Sequence, residues 1–228
     1  MRAALVRVSA LAYGAVSRAS KLTVAVLLTT AFAQAETVKI AALGDSLTAG
    51  YGLAQHEGFV PQLQAWLHAQ GADVEVVNAG VSGDTTAGGL SRVAWTLTPE
   101  IDAMIVALGG NDYLRGLDPA VSRANLDGIL AAGQGAGVEM LLVGLTVGGN
   151  YGPAYKQEFE TMYSELAAEY GIPLYPDFAA ALRANGTMSE GMSVFLQPDG
   201  IHPNAEGVSI IVKQIGPSVL DLAKAVRK

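Results

Sequence analysis

Five short apolar runs punctuate the chain, and each opens into a cluster of small and polar residues. They are "VKIAAL" (Val38–Leu43), "VEVVN" (Val74–Asn78), "AMIVAL" (Ala103–Leu108), "MLLVGL" (Met140–Leu145) and the weaker "IPLY" (Ile172–Tyr175). Between them, apolar residues recur at helical spacing. Phe59, Leu63, Trp66 and Leu67 mark one helix, Leu126, Ile129 and Leu130 a second, and Phe159, Met162, Tyr163 and Leu166 a third. A last amphipathic stretch runs from Asn204 to Lys228. Runs that are almost wholly apolar read as strands buried on both faces, and their alternation with amphipathic helices predicts a parallel sheet. Right-handed crossovers narrow this to a doubly wound α/β sandwich with a five-stranded sheet. Ligands of such sheets bind beyond the carboxyl ends of the strands.

Four polar clusters therefore carry the candidate chemistry. They are "GDSL" (Gly44–Leu47), "NAGVSGDTT" (Asn78–Thr86), "GGNDYLRG" (Gly109–Gly116) and, before the last helix, "PDGIHPN" (Pro198–Asn204). Ser46 alone reads most simply as a helix cap. A serine hydroxyl becomes a nucleophile only when a base takes its proton. Of the three histidines, His56 lies in a polar stretch and His68 on an outward helix position, whereas His202 follows Asp199 by three residues. That spacing fits an ordinary turn; it also fits a carboxylate holding an imidazole in the tautomer that accepts a proton from Ser46. A tetrahedral intermediate needs donors as well. Ser46 N–H, Gly80 N–H and the Asn111 side-chain amide are the candidates, though a turn glycine and a loop asparagine are the simpler readings of the last two taken singly. Their joint fall at the ligand-facing strand ends favours the catalytic reading.

Composition sharpens this picture. Arg2, Arg7, Arg18 and Lys21 precede the apolar run Leu22–Phe32, which ends in the small residues "AQA". This pattern predicts an export signal cleaved after Ala35, leaving one domain, Glu36–Lys228. A run that short falls below the ~20 residues that span a bilayer, so a retained anchor is the lesser alternative. Cleavage deepens the formal net charge from −7 to −11, because those four basic residues leave and no acid goes with them. So acidic a chain, without a basic stripe, disfavours nucleic acid as a partner. The absence of cysteine excludes disulfides and thiolate chemistry. A zinc site would need two ligands beyond His202, and none is placeable, so neither metal nor cofactor is expected. No G-x-S-x-G, Walker or H-E-x-x-H pattern occurs.

The four clusters, in this order, resemble the SGNH hydrolase family, also called GDSL esterases and lipases. The likeness covers nearly all of Val38–Lys228. "GLSRV", "GGNDYLRG" and "NYGPAY" are similar to the exported bacterial branch of arylesterases, acyl-CoA thioesterases and lysophospholipases. The resemblance implies a flavodoxin-like, three-layer α/β/α fold and a Ser46–Asp199–His202 triad. It also implies an oxyanion hole from Ser46 N–H, Gly80 N–H and Asn111, with Asp45 and Asp112 in supporting or turn-forming roles. The implied substrates are small aryl or acyl esters, thioesters and lysophospholipids, hydrolysed in the periplasm or medium; oligomeric state is left open. Leu47, Tyr51, Tyr113, Leu114, Tyr151, Met192, Phe195 and Leu196 are the expected acyl-groove residues. One departure from the branch is Gly148-Gly149 where proline is common, which predicts a freer loop over Leu145–Gly152. Deacetylation of polysaccharide is the alternative activity, disfavoured by an aromatic content of 7%. A non-catalytic exported binding protein is the remaining alternative, disfavoured because no catalytic residue is missing.

Overall fold

The computed structural model describes residues 36–184 and 193–226; the expected leader and Met192 lie outside the described residues. Strands β1 (Val38–Gly44), β2 (Val74–Gly80), β3 (Ala103–Ala107), β4 (Glu139–Val143) and β5 (Leu174–Tyr175) form one parallel sheet in the order β2-β1-β3-β4-β5. Four long helices connect or flank them: α2 (Phe59–Ala69), α3 (Thr86–Thr96), α5 (Pro119–Ala136) and α6 (Pro153–Tyr170). The final helix, α8 (Ala205–Ala225), follows the short α7 (Ala180–Ala184), while α1 (Ser46–Ala49) and α4 (Gly110–Leu114) open directly from β1 and β3.

Side chains alternate across the strands with period two, and both faces are apolar. Ile40, Ala42, Ile105, Leu141 and Val143 meet Leu63 and Leu67 of α2 and Ile211 and Ile215 of α8. Leu43, Met104, Val106 and Leu142 meet Leu126, Ile129 and Leu130 of α5 and Phe159 of α6 on the other face. The expected three layers are therefore present.

Three details differ from the expected boundaries. β2 runs two residues past Asn78, because the ladder continues through Leu43↔Ala79 and Gly44↔Gly80. β5 shrinks to two residues, since Pro173 has no N–H to extend the ladder. Gly88 and Gly89 interrupt the apolar pattern of helix α3, which the spacing therefore does not predict; a Cβ on Gly89 would sit 2.2 Å from Leu108 Cδ1, so α3 packs closely on that side chain there.

The outer edge of β2 is closed by side chains. The Gln64 carboxamide donates to Val74 O (2.6 Å) and accepts from Val76 N–H (2.6 Å), reproducing the pairing of a further strand. His68 Nε2 lies 2.9 Å from the same carbonyl, which gives that histidine a structural place on α2.

Connections leave β1 and β3 toward opposite edges of the sheet, so the topological switch point lies between those two strands. The segments that follow them, α1 and α4, begin with "SLTA" and "GNDYL". Truncation at the centre of this sheet, Ile105→Ala, is expected to cost about 2–5 kcal/mol in urea unfolding, because the residue is 1% exposed and packed on all sides.

Candidate active site

β1 ends at Gly44, and Asp45 turns the chain into α1. Asp45 Oδ1 accepts the Leu47 N–H at 3.0 Å, capping the helix. Ser46 is the first helical residue, so its N–H has no intrahelical acceptor. The hydroxyl is not a cap: the neighbouring aspartate performs that task.

The second arm comes from the far end of the chain. Gly200, at φ +71, allows the tight turn that brings Asp199 back onto His202. Asp199 Oδ1 accepts the N–H groups of Ile201 (2.9 Å) and His202 (3.0 Å), and Oδ2 lies 2.7 Å from His202 Nδ1. His202 Nε2 lies 2.8 Å from Ser46 Oγ. These bonds form one line from carboxylate to hydroxyl. Donation from the Ile201 N–H, then from the imidazole and the His202 N–H, holds the Asp199 carboxyl down at about 2. Gln197 ties the arm to the α1 side, its amide donating to Tyr51 O (2.8 Å) and Pro203 O (3.0 Å). The Tyr51 ring stands 4.7 Å from the imidazole, centroid to centroid.

This line borders a cleft of about 500 Å³ at the switch point. Its walls include Leu47, Tyr51, Tyr113 and Leu114 from the expected groove set, Leu145, Thr146 and Val147 from the loop with Gly148-Gly149, and Ala179 and Ile201, which the expected groove set does not contain. Tyr151 reaches it through an edge contact with Tyr113 at 5.7 Å. Phe195 and Leu196 do not line it; they pack against the core beside α2 and α8. The loop with Gly148-Gly149 is tied at its middle. Val147 N–H donates to Glu160 Oε1 (2.9 Å), and Val147 O accepts from Lys156 Nζ (2.6 Å), both on α6.

Asn111, on α4, lines the cleft, with Nδ2 at the long distance of 3.4 Å from Asp45 Oδ2. Gly80 does not line the cleft. Its N–H donates to Asn78 Oδ1 (2.9 Å), and a Cβ there would fall 2.4 Å from Ala49 N, so this glycine lets β2 and α1 pack closely. The cleft is instead lined by Ser82 and Gly83, three residues on, and among the described residues Gly83 N–H meets no acceptor in the protein. Both glycines stand in "NAGVSGD"; only the continuation of β2 through Gly80 separates them.

Behind the donors lie buried acids. Asp112 is fully buried and accepts from Thr86 N–H (2.8 Å), Thr86 Oγ1 (2.6 Å) and Ser122 Oγ (3.0 Å), joining α4 to α3 and α5. Burial pushes the Asp45 carboxyl up to about 6, against the opposing pull of the Leu47 N–H and of His202. Among the described residues, neither aspartate is hydrogen-bonded to the Ser46 hydroxyl, whose partner is His202.

Residues 42–210 match the GDSL-like lipase/acylhydrolase family. The chain belongs to that family. It is 37% identical over 199 residues to esterase TesA of Pseudomonas aeruginosa, covering 87% of this chain and 94% of the relative. It is 36% identical to thioesterase 1/protease 1/lysophospholipase L1 of Escherichia coli, covering 85% of this chain and 90% of that protein. Among solved structures, esterase EstA from a Pseudoalteromonas species, inhibited by monoethylphosphonate, superposes with a TM-score of 0.72 at 30% identity, over 79% of this chain and 96% of that one. Membership makes the protein an ester hydrolase and accounts for the sheet order.

Ionisation of Asp45 opposes folding. The unfolded carboxyl loses its proton near the ordinary 3.8 and the folded one near 6, so the native state binds more protons in between and stability falls as pH rises through that window. The difference amounts to about 3 kcal/mol. Asp45→Asn removes this dependence while keeping a capping oxygen. Measured by urea unfolding, the variant is expected to gain stability relative to wild type between pH 4 and pH 8.

Proposed function

We propose that the protein hydrolyses small aryl and acyl esters, acyl thioesters and lysophospholipids through an acyl-Ser46 intermediate. What supports this reading above all is the bonded line Asp199–His202–Ser46, with steps of 2.7 and 2.8 Å, beside an apolar cleft. His202 Nε2 takes the hydroxyl proton as Ser46 Oγ attacks the carbonyl carbon. The negative charge that develops on the carbonyl oxygen is met by Ser46 N–H, Gly83 N–H and Asn111 Nδ2. His202 then gives its proton to the departing alkoxide, aryloxide or thiolate, and the bond to the leaving group breaks. Water repeats the sequence on the acyl-serine, releasing a carboxylic acid and restoring the hydroxyl. Asp199, ionised down to about 2, fixes the Nδ1–H tautomer and stabilises the imidazolium throughout.

Apolar walls at Leu47, Tyr113, Leu114, Leu145 and Val147 suit an acyl chain or aryl ring. The name of the Escherichia coli relative brings thioesters and lysophospholipids into the same range. The leader Met1–Ala35 is read as a cleaved export signal, and the mature enzyme as periplasmic or secreted. No helix among the described residues is long and apolar enough to cross a membrane.

Ser46→Ala is expected to lower kcat/KM for p-nitrophenyl butyrate by ~10⁴-fold or more and to abolish labelling by a fluorophosphonate. Near wild-type turnover by that variant would overturn the mechanism. A panel of aryl esters of rising chain length, acyl-CoAs, lysophospholipids and acetylated glycans is expected to favour the first three over the last. Intact mass of protein recovered from outside the cytoplasm is expected to begin at Glu36; a mass that includes Met1–Ala35 would refute cleavage.

A further inference from the structure

We propose that Arg92 is a positioning residue for the oxyanion cradle, setting the separation of the Ser46 and Gly83 N–H groups by gripping the chain beside each. The inference rests on the assignment of Gly83 and Asn111 as donors given above. Arg92 lies on α3, and its three donor nitrogens go to three different segments. Nη2 donates to Gly44 O (2.8 Å), two residues before Ser46. Nη1 donates to Ala79 O (2.7 Å), near the end of β2. Nε donates to Asp84 Oδ2 (2.6 Å), the residue directly after Gly83.

The turn that carries Gly83 has few other ties to the sheet. Val81 N–H donates to Gly44 O (3.0 Å), the same carbonyl that Arg92 holds, and Asp84 N–H closes the turn on Val81 O (3.1 Å). Among the described residues, Gly83 O accepts only from the exposed Arg115 (2.8 Å). The Asp84 carboxylate lies over α3, where a Cβ on Gly88 would come within 2.5 Å of Oδ1, so the helix leaves room for it. The side chains of Arg92 and Asp84 are 21% and 19% exposed, which shields the pair from solvent.

A guanidinium is suited to this task because its donors are fixed in one plane, so Gly44, Ala79 and Asp84 are held at set angles to one another. Lysine has the charge without the fork. Helix α3 has independent anchors, Val93 in the core and Thr86 on Asp112, so the fold persists when Arg92 is lost while the 81–84 turn is released.

The test compares Arg92→Met, Arg92→Lys and Asp84→Asn with wild type and Asn111→Ala, on enzyme shown folded by thermal melting. The readouts are kcat and KM for p-nitrophenyl butyrate and Ki for a trifluoromethyl ketone, whose adduct places an oxyanion in the cradle. Arg92→Met is expected to lower kcat roughly 30- to 100-fold, as a misplacement of about 1 Å does, with Ki rising by a similar factor. KM is expected to stay within about two-fold, since ground-state binding is untouched. Arg92→Lys should recover little. Asp84→Asn keeps the bonds to Gly44 and Ala79, so it remains folded should Arg92→Met not, and is expected to move kcat and Ki together in the same direction. Lower melting temperatures with kcat and Ki within about three-fold of wild type would show a purely structural role and overturn the proposal. If Asn111→Ala also left kcat and Ki intact, the oxyanion assignment itself would be at fault; if Asn111→Ala lost both while the Arg92 and Asp84 variants did not, only the clamp would fall.

Discussion

Strand β1 is paired with β2 on one edge and β3 on the other and is covered by helices on both faces, so it has no exposed face. Ile40, Ala41, Ala42 and Leu43 are all at or below 1% exposure, so a polar side chain within β1 would be buried without a partner. Chemistry can begin only where the strand stops. It begins at once: Gly44 ends the ladder, Asp45 caps, and Ser46 is the next residue. The same constraint acts on β3, which passes through buried Met104, Ile105 and Val106 before reaching Asn111. The switch point places these two endings next to each other, and the rest of the site is brought to them.

Electrostatics at this rim are managed from behind. Each proposed oxyanion donor has an aspartate beside it in the chain: Asp45 before Ser46, Asp84 after Gly83, Asp112 after Asn111. Asp84 and Asp112 bind donors of neighbouring segments, whereas Asp45 accepts the Leu47 N–H of its own turn and lies 3.4 Å from Asn111 Nδ2. A buried carboxylate without a cation is costly, and Asp45 shows it in its raised pKa. Asp112 offsets its burial with three donors, and Asp84 with a guanidinium. Donors preset in this way need little rearrangement when charge develops in front of them.

The strands were legible because both faces of the sheet are covered, which makes the runs at Val38, Val74, Ala103 and Met140 almost uninterrupted. The bonding of Ser46, Asp199 and His202 was legible as a convergence of strand ends and through the family resemblance; the three-residue spacing of the aspartate and histidine does not by itself separate a turn from a relay. Helix α3 escaped notice because its glycines serve packing, admitting the Asp84 carboxylate at Gly88 and Leu108 at Gly89. The same helix carries Arg92, so the clamp escaped with it. The exchange of Gly80 for Gly83 has a similar origin. Where β2 stops is decided by the Gly44↔Gly80 pairing, which depends on a distant segment.

The carboxamide of Gln64 has a consequence for the protein's behaviour in a crowded compartment. A sheet rim with free amides and carbonyls invites another chain to stack on it, the first step toward fibrillar deposits. Here one side chain fills two of the positions that an incoming chain would use, at Val74 and Val76. A molecule without a single disulfide thereby blocks growth at its β2 border using a residue already present on the helix that covers it.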